Sequence, residues 1–343
     1  MYCTAEKIEF DPLPLLSPTE GILNEHGHHP AAYLALNQET KCFVLDDALV
    51  PYRDQGRFRF AVAGLIAPPE KKADLLQAFL KNAAEQRKRI IFLQCPLEDA
   101  QLLQQYDFSI NQLGTSYART LNGFNLDGTR FMKLRNKISR AKRAGVVVKE
   151  VGVDIEFTQD IKLQLECIDD EWLRGKHAKE LAFLIGELGK AEDESTPNKR
   201  LFIAEQNGRI QGYILYSRIY GRYRGWMHDL TRRRIEAATG TMELINQEAA
   251  SRFKADGENY LHFGFTPLAE LRASHEANMH SSKWFSWAAQ WLAQHGSFLY
   301  PVATQLQYKK KWYPDLILPE YIAFQGGFSL FGLWQFLRIT NIV

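Results

Sequence analysis

The stretch of this sequence best equipped for chemistry is HDLTRRRIEAATGTMELI, from His228 to Ile245. It sets an acid, Asp229, three residues before Arg232, adds Arg233 and Arg234, and places Thr239-Gly240-Thr241 just ahead of a helical pattern. A carboxylate can orient or deprotonate a hydroxyl, and a guanidinium can neutralise a phosphate or a developing oxyanion. The free N–H groups at a helix start suit an anion. These are the parts that acyl transfer needs. A simpler reading of Asp229 and Arg232 is an ion pair that fixes a strand end. Glu243, one turn into the helix, is a candidate for recognising an α-amino group or an ordinary surface carboxylate. His228 adjoins Asp229, but alternation along a strand turns it to the opposite face, which suits a structural role.

A second signal lies about a hundred residues earlier, in FMKLRNKISRAKRAG, residues 131–145. Between Arg130 and Lys149 there are eight Lys or Arg and no acid, although the whole chain carries a formal charge of only +2. Leu134, Ile138 and Ala141 fall at i, i+4 and i+7, one narrow apolar stripe of a helix closed by Gly145. Lys133, Arg135, Lys137, Arg140 and Lys142 occupy its other sides. Exposed helices usually mix signs, so this one suits a polyanion such as a tRNA backbone or lipid phosphates; the simpler reading is a solvated face. Lys309 and Lys311, in KKKWY, could extend the basic surface. Lys176 and His177, in RGKHAKE, sit in a segment between helices that could reach a cleft. His26, His28 and His29 read as an irregular loop.

At 343 residues, with 45 % hydrophobic and 24 % charged residues, the chain is long enough for two domains with ample core. All seven tryptophans follow position 170, so the halves differ in composition. Cys3, Cys42, Cys95 and Cys167 are scattered without CxxC, which fits neither a disulfide framework nor a zinc site. The N-terminal residues lack the basic-then-apolar pattern of a signal peptide. The longest uncharged run, residues 321–337, is broken by Gln and Gly and falls short of the roughly 20 apolar residues of a span. The end, FSLFGLWQFLRITNIV, reads as a segment packed on the core or as an interfacial element. The stripe Trp284, Trp287, Ala288 and Trp291 is most simply core.

The elements that must position these residues alternate. KCFVLDD, FRFAVAGLI and RIIFLQC are strand-like, and PPEKKADLLQAFLKNAAEQRKR and EDAQLLQQY are helical. After the basic helix come a strand at VVVKEV, a helix at FTQDIKLQLECIDDEWLRGK, and two strands about Asn207-Gly208, a favoured hairpin turn. RYRGWMHDL, a helix ending at Gly257, YLHFGF and a last helix follow. This order predicts an α/β (α+β) fold of strands flanked by helices.

The succession LRNKISRAKRAG, IAEQNGRIQGYILY, WMHDLTRRRIEAATGTMELI, LHFGFTPLAEL and LQYKKKWYPDLILPEYIAF resembles the phosphatidylglycerol lysyltransferase C-terminal domain family, over residues from about Tyr33 to Phe324. The resemblance implies two tandem GNAT-like folds, each a mixed sheet flanked by helices: an N-terminal unit over 1–127 and a catalytic unit over 128–343 introduced by the basic helix. It implies transfer of an amino acid from aminoacyl-tRNA to a lipid hydroxyl, most simply that of phosphatidylglycerol, with Asp229 and Arg232 essential and no cofactor or metal. The partners it implies are aminoacyl-tRNA, an anionic phospholipid at the inner face of the plasma membrane, and a separate flippase, since the integral-membrane half of the best-known members is missing. Two alternatives stand beside it. Acyl-CoA-dependent N-acylation is one, although such relatives carry [QR]-x-x-G-x-[GA] where this chain has Ala237 and Met242. A non-catalytic module binding lipid or nucleic acid is the other.

Overall fold

A computed structural model describes residues 17–176, 197–295 and 302–339. The first half runs α1 (Pro18–His26), β1 (Lys41–Leu45), β2 (Ala48–Gln55), β3 (Phe58–Val62), α2 (Lys72–Glu85), β4 (Arg89–Cys95), α3 (Leu97–Gln104) and β5 (Phe108–Thr120). The second runs α4 (Met132–Arg143), β6 (Val147–Glu150), α5 (Gln159–Lys176), β7 (Lys199–Gln206), β8 (Arg209–Ile219), β9 (Gly225–Arg233), α6 (Thr241–Ala255), β10 (Tyr260–Pro267), α7 (Lys283–His295), α8 (Val302–Lys310), β11 (Leu316–Gln325) and α9 (Leu330–Ile339). The mixed α/β class expected from the sequence is the class observed.

The eleven strands form one continuous sheet in the order β1-β2-β3-β4-β11-β5-β10-β9-β8-β7-β6. Each half contributes an antiparallel meander ending in a parallel pair, β3 with β4 and β9 with β10. A helix links the strands of each parallel pair, α2 in the first half and α6 in the second. The next strand then crosses over: β5 pairs with β10 and β11 pairs with β4, and the two crossing strands pair with each other from Phe108 to Ala118. Two copies of one plan therefore exchange a strand, and the expected pair of sheets is fused into one. Within it, the Asn207-Gly208 turn is as read, both residues left-handed (φ 53° and 75°), the geometry that a two-residue hairpin loop demands.

Helices cover both faces. On one face α2 and α3 bury Leu75, Phe79 and Leu103, and α4 and α6 bury Leu134, Ile138, Ile245 and Phe253. On the other, α5 buries Ile161, Leu165 and Ile168, while the α1 segment, α7 and α9 bury Leu23, Phe285, Ala289 and Phe336. The apolar stripe of the basic helix is thus the docking stripe the spacing predicts. Among the described residues, no helix is long and apolar enough to cross a membrane.

Candidate active site

The parallel pairing of β9 with β10 spans three residue pairs and stops at Met227 opposite His262, while β9 continues to Arg233. The sheet opens there, at the carboxyl ends of two parallel strands, where ligands enter open α/β sheets. Asp229 lies two residues beyond the last pair.

Its placement depends on a β-bulge. Leu215 pairs with Leu230 and Tyr216 with His228, so Asp229 is the extra residue on β9. In a regular strand, residues three apart face opposite sides; an inserted residue shifts the alternation. Asp229 and Arg232 consequently share a face. The Asp229 carboxylate accepts from the Ser217 hydroxyl (2.7 Å) and from the Tyr33 hydroxyl (3.1 Å). Arg232 is buried, its guanidinium 3.8 Å from the centre of the Trp172 ring and its Nε 3.7 Å from Asp169 of α5. Burial, followed by the charge of Asp229, pushes the Tyr33 hydroxyl pKa well up, so it remains a donor.

The cations gather on the opposite face. Glu243, at the start of α6, receives Lys311 at 2.6 Å and Lys137 of the basic helix at 3.4 Å. Burial acts to raise the Glu243 pKa, but those two lysines hold it below the usual carboxylate range. The Lys311 ammonium also sits 3.7 Å above the Tyr308 ring. Lys309 does not extend a basic surface. It is buried, donating to the carbonyls of Gly264 (2.8 Å) and Phe265 (2.9 Å) and to the Thr266 hydroxyl (2.7 Å) on β10, and burial pushes its pKa down to about 7. His228 turns to this face as expected. Its ring meets Thr231 and lies near Tyr216, Phe263 and Tyr308. Burial, then Lys309 and Lys311, lower its pKa to about 3. A neutral imidazole wedged among aromatic rings fits the structural role.

Several proposed binding residues prove to hold the frame. Arg135 donates to the carbonyls of Leu126 and Gly128 and clamps the loop before α4. Lys142 is 3.3 Å from Glu248 on α6, so the neighbouring helix supplies the acids that the basic helix lacks. Among the described residues, Lys133 and Arg140 are exposed and have no acidic partner. Gly240 is the left-handed N-cap of α6 (φ 97°), and a Cβ there would lie 2.0 Å from the Lys137 carbonyl. The Thr241 hydroxyl donates to the Ala238 carbonyl, and Thr239 is exposed. The Thr-Gly-Thr turn therefore serves close packing of α4 on α6 more than an open anion nest. Lys176 ends α5, and its side chain and His177 lie outside the described residues.

The family profile described as phosphatidylglycerol lysyltransferase, C-terminal, matches residues 20–324. The chain belongs to this family. A phosphatidylglycerol lysyltransferase of Bacillus subtilis is 24 % identical over 94 % of this chain, and the match covers 36 % of that protein, so the chain spans little more than a third of that relative's length. Two solved structures share the fold, each with a TM-score of 0.74. One is the C-terminal domain assigned to a lysylphosphatidylglycerol synthetase of Agrobacterium fabrum, 21 % identical over 95 % of this chain and 99 % of that one. The other is L-PGS from Bacillus licheniformis, 20 % identical over 98 % of this chain and 99 % of that one.

The hydrogen bonds to Asp229 bring in two residues that sequence reasoning passed over, Ser217 and Tyr33. Ser217 was reachable in principle, because the Asn207-Gly208 turn sets the β7–β8 register and Ser217 pairs with Met227, next to the bulge. Tyr33 carries no such signal. It lies 196 residues from Asp229 in a short 3-10 helix, and only the packing of the N-terminal segment on β8 brings them together.

Proposed function

We propose that this chain transfers an amino acid from aminoacyl-tRNA to a hydroxyl of phosphatidylglycerol. Its family supports transfer to that lipid, and the observation that carries the reading to particular atoms is the Asp229 carboxylate at the mouth of the β9–β10 opening. In this reading the lipid glycerol oxygen attacks the carbonyl carbon of the aminoacyl ester. The bond from that carbon to the tRNA ribose oxygen breaks, and the lipid hydroxyl proton passes to the departing oxygen. Asp229 orients the attacking hydroxyl and carries the proton, while Arg232 stabilises the anionic charge of lipid phosphate or tetrahedral intermediate. Lys133 and Arg140 take part of the tRNA backbone. The tRNA ester supplies the driving force, so the exchange calls for no nucleotide.

The Lys137 carbonyl at Gly240, with Ala237 and Met242 in place of the cradle-forming residues, weighs against acyl-CoA as donor. The test is direct. Purified protein is given phosphatidylglycerol vesicles and each aminoacyl-tRNA labelled in the amino acid, and lipid extracts are read by mass spectrometry. An aminoacylated lipid that disappears when tRNA is deacylated supports the reading; no label in the lipid phase with any donor overturns it.

A further inference from the structure

The tryptophan stripe of α7 is not core. Phe285 and Ala289 are the buried residues of that helix, packed against Phe324 and Phe328, whereas Trp284, Trp287 and Trp291 are 71 %, 61 % and 47 % exposed. The C-terminal helix repeats the arrangement. Phe336 and Ile339 of α9 are buried and Gly332 lies tight against Ile91 and Phe58, while Leu330, Phe331 and Trp334 are 72 %, 53 % and 45 % exposed. Amphipathic helices ordinarily turn such residues inward.

These two helices are neighbours. The α7 helix is anchored over β5 and β11 through Asn111 and Phe324, and α9 over β3 and β4 through Phe58 and Ile91; those strands are adjacent in the sheet. At roughly 200 Å² for a large side chain, the exposed parts of Trp284, Trp287, Leu330, Phe331 and Trp334 come to roughly 600 Å², at the upper end for the largest patch of an ordinary monomer. The formal charges on the two helices themselves have one sign. Residues 277–314 and 321–343 contain no Asp or Glu. Lys283 is exposed at the start of α7, and the Arg338 guanidinium lies 5.0 Å from the Trp334 ring. Indoles with a basic rim on short amphipathic helices have the composition of elements that lie in the headgroup region of a bilayer. The patch also lies on the face of the sheet that carries Tyr33 and Asp229, opposite the basic helix.

We propose that Trp284 and Trp287 of α7 with Leu330, Phe331 and Trp334 of α9 form a docking surface for an anionic lipid bilayer, which presents the Asp229 face to the membrane and leaves the basic helix facing water. This rests on the lipid-acceptor reading above and adds the surface by which the acceptor is approached.

The test measures binding to vesicles separately from transfer. Wild-type protein is mixed with vesicles of phosphatidylcholine alone or with phosphatidylglycerol added, and tryptophan quenching by brominated acyl chains is read without any mutation. The expected result is quenching and co-flotation that require phosphatidylglycerol, and at least a tenfold loss of vesicle binding in Trp284→Ser/Trp287→Ser and in Leu330→Ser/Trp334→Ser, with unchanged circular dichroism. Transfer to a short-chain, water-soluble phosphatidylglycerol should be retained by both variants. Vesicle binding equal to wild type in both variants, or a wild-type dimer that the substitutions dissolve, overturns the docking surface. Absence of transfer to the soluble lipid by wild type instead overturns the acceptor reading and leaves the vesicle result standing.

Discussion

In the first half of the sheet β3 stops at Val62, where its pairing with β4 stops. In the second, β9 runs six residues past its last pair with β10. The acid nearest each junction differs accordingly. Asp99 is fully enclosed, accepting from the Leu65 N–H (2.7 Å) and pairing with Lys72 (2.6 Å), and Gly64 gives it room, since a Cβ there would lie 2.1 Å from its oxygen. Asp229 is half-buried on a bulge, held by two hydroxyls that can turn to a substrate. One plan thus yields a closed junction that stabilises and an open one that can react. The difference lies in where a parallel pair lets go.

The sharpest way to break that comparison is to remove each acid. Asp229→Asn keeps the shape, with one hydroxyl still donating to the amide oxygen and the Ser217 hydroxyl turned to accept from the amide nitrogen, but removes the base, and transfer should fall about 10²- to 10⁴-fold with the melting temperature little changed. Asp99→Asn should do the reverse. A buried donor set loses its charged acceptor, stability falls by about 1–3 kcal/mol, and the rate per folded molecule is retained. Loss of transfer without loss of fold in Asp99→Asn would mean that the first junction also works in the reaction.

A second effect belongs to the opening alone. His262, the last residue of β10 that pairs with β9, is buried with Nε2 2.7 Å from the Tyr223 carbonyl, and burial lowers its pKa from 6.5 to about 4. Between those values the unfolded chain binds a proton that the folded one refuses. Stability from this residue is therefore complete above pH 6.5 and is lost as pH falls toward 4, at up to about 1.4 kcal/mol per pH unit, about 3 kcal/mol in all. Urea midpoints measured from pH 7 down should show that slope added to the one from His228, which burial also keeps neutral, and His262→Gln should reduce it to the His228 share.

Gly240 tests the link between the basic helix and α6. An alanine there must hold φ 97° and place a methyl 2.0 Å from the Lys137 carbonyl, so Gly240→Ala should destabilise by about 2 kcal/mol. Gly257 is also left-handed (φ 76°) but nothing lies within 4 Å of its Cβ position, and Gly257→Ala should cost about 1 kcal/mol. Equal losses at the two sites would deny the close packing of α4 on α6.

Local pattern carried much of this into the sequence. The Leu134, Ile138, Ala141 stripe, the Asn207-Gly208 hairpin and the strand-helix alternation each depend on a few neighbouring residues, and each is found as read. What the sequence hid was long-range. Nothing near Leu316 says that β11 will sit between β4 and β5, because strand exchange is decided by partners some two hundred residues away. The basic run looked free of acids until α6 brought Glu243 and Glu248 beside it. The tryptophans fooled the periodicity, which locates a stripe but cannot tell whether the core takes it or the adjacent stripe of Phe285 and Ala289.

Tyr33 offers the smallest and most discriminating change. Its ring is buried and its hydroxyl donates to one oxygen of Asp229 while Ser217 donates to the other. Tyr33→Phe keeps the ring and deletes a single donor to a charged acceptor, and a long hydrogen bond of this kind is worth about 1.5 kcal/mol net, so transfer should slow only about tenfold. A structural role would stop there. A positioning role goes further: a carboxylate that loses a donor is harder to ionise, so the acid limb of the pH–rate profile should move to higher pH in Tyr33→Phe and again in Ser217→Ala, and both shifts should vanish in an Asp229→Asn background. An unmoved limb would return Tyr33 to the core and leave the open junction with Asp229 acting without it.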